Sequence, residues 1–447
     1  MPKAPREVAL EVINRVHKTG SYANLLLSKK LQDSGLDIRD RALVTELTYG
    51  TLRAQGTLDW VIKQFSKQKL EKIPDLVLDL LRMSIYQIIY MDVPDHAAVN
   101  EAVEIAKRHF HPGIAKFING LLRTIAREKE KLPWPDKDAD PVRYIALRHS
   151  HPTWMVKLWV DEFGMAEAEA LCEANNRVPR LTIRVNRLKT HPEILAETIK
   201  AAGWEVEEGL YLSEALSVRG GGDITRLKRF KEGHFYVQDE SSMIIAHVVD
   251  PQPGETILDA AAAPGGKTTH LAELMQNKGQ IIAVDANANR VNLMKQNFDR
   301  MGVTIALPIK ADATKLKAVI KKPVDRVLLD APCSGLGVLA RRPDSRWAKK
   351  HEQISELSLL QTDMLVAVAD FVKPGGVLVY SVCTLTRQET RLVVERFLRI
   401  REDFYVENVA PFLPERLRAD IKDDMIQLLP HKHGIDGLFI ARLRRYE

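Results

Sequence analysis

Cysteine is scarce in this chain, with three in 447 residues and no Cys-x-x-Cys pair among them. That scarcity excludes a disulfide framework and a cysteine-built zinc site, and it fits free thiols in a reducing, cytoplasmic setting. Long hydrophobic runs are also lacking. The longest, Leu76 to Met91, is interrupted by Asp79, Arg82 and Gln87 and is too polar to cross a bilayer, so no membrane partner is expected. The start, Met1-Pro-Lys-Ala-Pro-Arg-Glu7, has none of the apolar stretch of a secretory signal. Two nucleotide signatures are missing as well. Without Gly-x-Gly-x-x-Gly a nicotinamide cofactor is disfavoured, and without Gly-x-x-x-x-Gly-Lys-Ser/Thr so is a nucleoside triphosphate. Gly220-Gly-Gly222 reads as a turn rather than a phosphate loop. His431-Lys-His433 has no third ligand at a metal-site spacing, so no metal is expected.

What is present describes a folded chain of several domains. Hydrophobic residues make up 45% and charged residues 28%, which argues against disorder, and the length allows roughly three domains at about 150 residues each. A net charge of +6 with a pI near 9.0 favours a polyanionic partner. Two segments, Arg226-Leu-Lys-Arg-Phe-Lys231 and Arg341-Arg-Pro-Asp-Ser-Arg-Trp347, mix cations with aromatics. Such mixtures suit phosphates and stacked bases, and a solvated surface is an equally good account of each.

Periodicity divides the chain. Ala9, Val12, Ile13 and Val16, and later Val99, Ala102, Val103 and Ala106, recur at helical spacing, so residues 1–130 are expected to form a helical bundle. The Pro- and charge-rich stretch around Lys131 to Pro141 marks a linker over 131–149. Residues 150–238 read as a small α+β module, ferredoxin-like or RRM-like, with a strand at Leu181 to Val185. From 239 to 447, apolar strand runs ending in Asp259, Asp285, Asp330 and Ser381 alternate with helical patterns. This predicts an α/β domain with a Rossmann-like parallel sheet covered by helices on both faces. In such sheets ligands bind beyond the carboxyl ends of the strands.

The sharpest local signal is Asp259-Ala-Ala-Ala-Ala-Pro-Gly-Gly-Lys267, a strand-to-helix turn whose glycines let a ligand approach the backbone. Asp285 closes the next strand, where an acidic side chain takes ribose hydroxyls. A ribose-bearing cofactor with no pyrophosphate, S-adenosyl-L-methionine, fits this pair best. Cys333 and Cys383 each sit at the mouth of an apolar run, and Cys333 follows Asp330-Ala-Pro. A thiolate at such a place suggests covalent catalysis; a lone buried cysteine is more often a small core residue.

Ala-Ala-Pro-Gly-Gly-Lys267, Asp330-Ala-Pro-Cys-Ser-Gly335 and Tyr380-Ser-Val-Cys-Thr384, preceded by Phe235-Tyr-Val-Gln-Asp-Glu-Ser-Ser242, resemble the RNA cytosine-5 methyltransferases of the Nol/Nop/Sun family. Arg39-Asp-Arg-Ala-Leu43 and Val99-Asn-Glu-Ala-Val103 resemble the antitermination factor NusB. The combination spans essentially the whole chain and is similar to bacterial enzymes that modify one cytosine of 16S rRNA, position 967. The resemblance implies that Cys383 adds to cytosine C6 as nucleophile and that Cys333 serves as the base that releases the product. It implies Asp330, protonated near N3, and Lys267, which holds Asp330, as further catalytic residues. The cofactor is expected on Ala261, Ala262, Ala263, Pro264, Gly265, Gly266 and Lys267, with Asp285 on the ribose, Asp312 on the adenine edge and Asp330 beside them. Asp312 reads equally as a helix cap. The implied partner is 16S rRNA, naked or in an early assembly intermediate, and a monomer is expected. The RNA base must be single-stranded or flipped out.

Two positions depart from the family pattern: Ala261 stands where a cysteine is usual, and Val382 replaces a hydroxyl residue before the nucleophile. Other readings are a DNA cytosine-5 methyltransferase, which would attack with Cys333 and need no second cysteine, an RNA enzyme with a tRNA or 23S rRNA target, and a non-catalytic ribosome assembly factor.

Overall fold

The computed structural model describes residues 4–220 and 222–447; residues 1–3 and Gly221, the middle of the predicted glycine turn, lie outside the described residues. Two compact units emerge, Met1–Arg177 with Leu339–Lys349, and Val178–Val338 with Lys350–Glu447.

The first unit is helical. Its helices are α1 (Pro5–Thr19), α2 (Ala23–Asp33), α3 (Ile38–Phe65), α4 (Asp75–Tyr90), α5 (Asp95–His109), α6 (Pro112–Glu128), α7 (Pro141–Arg148), α8 (Thr153–Phe163) and α9 (Met165–Asn176). Helix α1 buries Ala9, Val12, Ile13 and Val16 and stops at Gly20, whose φ of 63° is the left-handed conformation that ends helices. Helix α4 is the polar-interrupted run, and its interruptions are internal. Asp79, buried, receives His17 Nδ1 at 2.7 Å and Arg82 at 3.0 Å, while Arg82 forks onto Asp59 at 2.7 and 2.8 Å. Among the described residues no helix is long and apolar enough to cross a membrane.

The segment Leu339–Lys349 overturns one expectation. Arg346 and Trp347 do not offer a surface for phosphates or bases. Arg346 is fully buried and donates to the carbonyls of Ser150 and Asn175 and to Asn176 Oδ1 at 2.8, 3.1 and 2.9 Å. Burial lowers its pKa to about 9. Trp347 Nε1 donates to the Leu52 carbonyl at 3.0 Å, and its ring occupies the space that a Cβ at Gly56 would need. Interleaved charge and aromaticity marks a polar anchor as readily as a nucleic-acid patch.

The second unit opens with a four-stranded antiparallel sheet of β1 (Leu181–Val185), β2 (Glu205–Glu208), β3 (Ala215–Arg219) and β4 (Phe235–Val237), in the order β2-β3-β1-β4, with α10 (Pro192–Ala201). In its other basic segment, Phe230 lies under the Arg300 guanidinium, 4.1 Å from the ring centre, while Lys228 stays exposed. Helix α11 (Glu240–Val249) follows.

Next come β5 (Thr256–Asp259), α12 (Gly266–Leu274), β6 (Gln280–Asp285), α13 (Ala288–Met301), β7 (Ala306–Lys310), β8 (Val324–Asp330), α14 (Glu352–Ala369), β9 (Val372–Val382), α15 (Arg391–Ile400), β10 (Phe404–Glu407), β11 (Ile421–Lys422), β12 (Met425–Leu428) and β13 (Leu438–Arg445). The sheet order is β11-β12-β13-β9-β8-β5-β6-β7, with β10 on β13. Strands β7, β6, β5, β8 and β9 run parallel and β13 is antiparallel to β9. Neighbouring residues face opposite sides. Ile257, Leu328 and Val379 enter one buried cluster, and Leu258, Val327, Leu329 and Tyr380 enter the other. Both faces are therefore covered, as the near-continuous apolar runs predicted. Strand order reverses between β5 and β8, and this switch point is where a ligand belongs in such a sheet.

Candidate active site

The loop from Ala260 to Gly266 leaves β5 and enters α12. Gly265 has φ 100°, and a Cβ there would lie 2.9 Å from Phe298, so only glycine lets the loop lie this close to α13. Arg290 Nη2 donates to the Ala263 carbonyl at 2.7 Å, and Asn297 Nδ2 to that of Pro264 at 2.9 Å. Arg290 also lies 3.2 Å from the buried Asp285 carboxylate, whose other oxygen accepts the Asn287 amide at 2.8 Å. Asp285 and the loop are thus braced by one guanidinium. Behind the loop, fully buried Arg184 of β1 donates to the Gly266 carbonyl, Thr269 and Glu273, each at 2.8 Å. A backbone-lined turn beside an acceptor carboxylate suits the amino acid end and the ribose hydroxyls of S-adenosylmethionine, so the donor set fits the expected cofactor.

Asp259, at the base of the loop, is fully buried and accepts the Thr268 hydroxyl at 2.7 Å. Burial pushes its pKa up to about 6. Asp312 sits past the end of β7, exposed, where it accepts the Thr314 amide at 2.9 Å and hydroxyl at 2.8 Å. The amide hydrogen bond, more than the hydroxyl, lowers its pKa. Its role as a turn cap, one of the two sequence readings, is visible in these contacts.

Lys267, at the start of α12, reaches across to the end of β8. Its Nζ donates to Asp330 Oδ2 at 2.7 Å, and Ser381 Oγ donates to Asp330 Oδ1 at 2.8 Å. Burial works against the ammonium, but Asp330, and then Cys383 and Asp259, hold its pKa above the usual value. Val382 is fully buried in the sheet.

The two cysteines converge. Cys333 follows β8, Cys383 follows the adjacent β9, and their Sγ atoms are 3.3 Å apart. Strand pairing explains the contact, because Asp330 is in register with Ser381 and the two loops leave side by side. The Gly337 amide donates to the Cys383 carbonyl at 3.1 Å. The Cys333 pKa is raised well above the usual thiol value, first by the hydrogen bond with Cys383, then by burial, then by the charges of Cys383, Glu389 and Asp330. The shift keeps the proton on Cys333 at neutral pH. Cys172 is buried in the helical unit, and burial lifts its pKa to about 12.

His433 is buried and its Nδ1 accepts the Leu429 amide at 2.8 Å. Elsewhere Glu214, His247 and His270 gather, with Glu214 Oε1 2.6 Å from His247 Nε2 and 3.4 Å from His270 Nε2. The 2.6 Å separation is that of a hydrogen bond. Sequence reading missed Arg290, Arg184 and the buried Glu389, and saw Ser381 only as a strand end and motif residue; their contacts join elements far apart in the chain.

A doubly wound sheet with a glycine turn after its first strand, an acid at the end of its second and no Gly-x-Gly-x-x-Gly is the arrangement of an S-adenosylmethionine-dependent methyltransferase rather than of a dinucleotide-binding dehydrogenase. A family model for the 16S rRNA methyltransferases RsmB/F matches residues 246–444, one for the NusB family matches 3–127, and one for the RsmF/B-like ferredoxin-like domain matches 151–225. A Bacillus subtilis protein named probable ribosomal RNA small subunit methyltransferase B is 42% identical, over 98% of each chain. The crystal structure of PH0851 superposes over 100% of both chains with a TM-score of 0.85 and 28% identity. That of NSun6 from Pyrococcus horikoshii with SFG covers 66% of this chain and 98% of its own, with a TM-score of 0.59 and 27% identity. The chain belongs to the ribosomal RNA small subunit methyltransferase B family.

Proposed function

We propose that this enzyme methylates C5 of a cytosine in 16S rRNA, position 967, through a covalent adduct between Cys383 and C6. The observation that carries this reading is the 3.3 Å contact between two thiols brought to one point by adjacent strands. A single nucleophile, as in a DNA enzyme, needs no such partner. The rRNA target rests on the names of the full-length relatives.

Cytosine C5 is a poor nucleophile until a thiolate adds at C6 and turns the ring into an enamine-like carbon. The Cys383 thiolate makes that bond. The Lys267–Asp330 pair holds a proton at the place where N3 accumulates negative charge, lends it as C6 is attacked and recovers it on release. The Lys267 ammonium, whose pKa is held above the usual value, donates to Asp330 at 2.7 Å, so the two act on N3 together. S-adenosylmethionine, when bound by the Ala261–Lys267 loop and Asp285, supplies an electrophilic methyl group; Asp312 is assigned here to the adenine edge. Once Cys383 is bonded to carbon its negative charge is gone, and the Cys333 proton becomes easier to lose to solvent. The Cys333 thiolate then takes the C5 proton, and Cys383 leaves as thiolate. One proton is released per methyl transferred.

Residues 1–130 are proposed to bind the RNA, with 131–149 as linker, 150–238 as accessory module and 239–447 as the catalytic domain. Naked rRNA and an early assembly intermediate are both compatible with this arrangement. Mapping 5-methylcytosine in rRNA from cells with and without the protein tests the target. Loss of one small-subunit site is expected; an unchanged small-subunit map with loss in tRNA or 23S rRNA would refute it.

A further inference from the structure

Glu389 lies outside the motifs and takes no part in the chemistry above, yet it is fully buried beside both cysteines. Its carboxylate accepts five neutral donors. From the loop after Cys333 come the Ser334 amide at 2.8 Å and hydroxyl at 2.5 Å. From the loop after Cys383 come the Thr384 hydroxyl at 3.1 Å and the Thr386 hydroxyl at 3.0 Å. Gln361 of α14 donates from a third side at 3.1 Å, and its amide also reaches the Pro332 carbonyl at 2.9 Å. The Ser334 and Thr384 hydroxyls are themselves 2.7 Å apart.

Thr386-Arg-Gln-Glu389 has the spacing of a capping box ahead of α15, and the Glu389 amide does lie 3.3 Å from Thr386 Oγ1. In a capping box the glutamate returns to the cap's own amide. Here it turns inward to the residues that follow the two cysteines. Burying a carboxylate among neutral donors costs stability, whereas an ordinary cap on the surface does not. The arrangement therefore calls for a return other than helix stability.

We propose that Glu389 is a positioning residue for the methyl transfer, a buried clamp that locks the Cys333 and Cys383 loops together and so sets the distance and proton sharing of the two sulfurs. The inference rests on the two-cysteine reading above. Its negative charge is also among the causes that keep the proton on Cys333, which makes the clamp electrostatic as well as mechanical.

The test is single-turnover methyl transfer to 16S rRNA as a function of pH for the wild type, Glu389→Gln and Ser334→Ala, with RNA KM and thermal unfolding measured alongside. Glutamine keeps the volume and removes the charge and one acceptor. A fall of about 10²-fold in kcat is expected, the loss associated with small misplacement of reacting groups. The RNA KM should stay within about 2-fold, and the pH dependence tied to Cys333 should move to lower pH. Ser334→Ala, which removes one donor and no charge, should lower kcat with the pH profile unmoved, and it keeps the test decisive if the glutamine variant does not fold. The inference fails if Glu389→Gln folds and keeps kcat within about 3-fold or leaves the pH profile unmoved. It also fails if Ser334→Ala has full activity while the glutamine variant is unfolded. Failure of the two-cysteine reading looks different: Cys333→Ala then traps no protein–RNA adduct whatever occupies position 389.

Discussion

The Cys333 sulfur lies 3.3 Å from that of Cys383, and the hydrogen bond between them, followed by burial, raises the Cys333 pKa well above the usual thiol value. The proposed mechanism requires Cys383 to be the more nucleophilic of the two at neutral pH. Alkylation with iodoacetamide, followed by peptide mass mapping, should mark Cys383 at least about tenfold faster than Cys333. Faster marking of Cys333 would reverse the assignment.

In the proposed mechanism Lys267 supplies the proton that N3 needs. Replacing it in Lys267→Met removes that proton and leaves Asp330 with the Ser381 hydroxyl alone from this pair of donors. We expect kcat to fall about 10²- to 10⁴-fold, the usual worth of a positioned proton donor. Isothermal titration should show cofactor affinity changed by only a few-fold. A loss confined to cofactor binding would make Lys267 a cofactor residue only.

Asp259 gives a stability prediction with a definite sign. Its folded pKa, about 6, lies above the ordinary 3.8, so the native state binds the proton more tightly than the unfolded chain. Stability linked to this group is full below about pH 4 and is lost as pH rises toward about 6. Two pKa units correspond to about 3 kcal/mol. Asp259→Asn stays neutral and still accepts the Thr268 hydroxyl, so it should raise the melting temperature at pH 8 and have little effect at pH 4. Equal effects at both values would contradict this account.

Arg184 and Glu273 form a buried ion pair at 2.8 Å, with side chains 0% and 2% exposed. Arg184→Met leaves Glu273 buried without its guanidinium and should cost about 3–5 kcal/mol in denaturant unfolding. Adding Glu273→Leu should recover most of that loss. If the second substitution makes matters worse, the pair is not the source of the effect.

The parts legible in the sequence were those written in contiguous residues. Strand ends at Asp259, Asp285 and Asp330 and the helical period around Val12 to Val16 follow from local patterning, and the family resemblance places the cysteines on neighbouring loops. Contacts set by tertiary pairing were not legible. The hydroxyl on Asp330 comes from Ser381 because β8 and β9 are in register there, and nothing local to either residue announces it. Arg346 and Trp347 misled because exposed and buried cations look alike in a sequence; only the carbonyls around Arg346 tell them apart. Glu389 was hidden because its partners Ser334 and Gln361 lie far from it in the chain.

The central claim is that Cys383 attacks and Cys333 releases. The most direct measurement is denaturing electrophoresis of the Cys333→Ala enzyme after incubation with 16S rRNA and S-adenosylmethionine, followed by mass mapping of the nucleotide-bearing peptide. The account predicts a denaturation-resistant adduct carried on Cys383, and none with Cys383→Ala. An adduct trapped by Cys383→Ala and carried on Cys333 would contradict it.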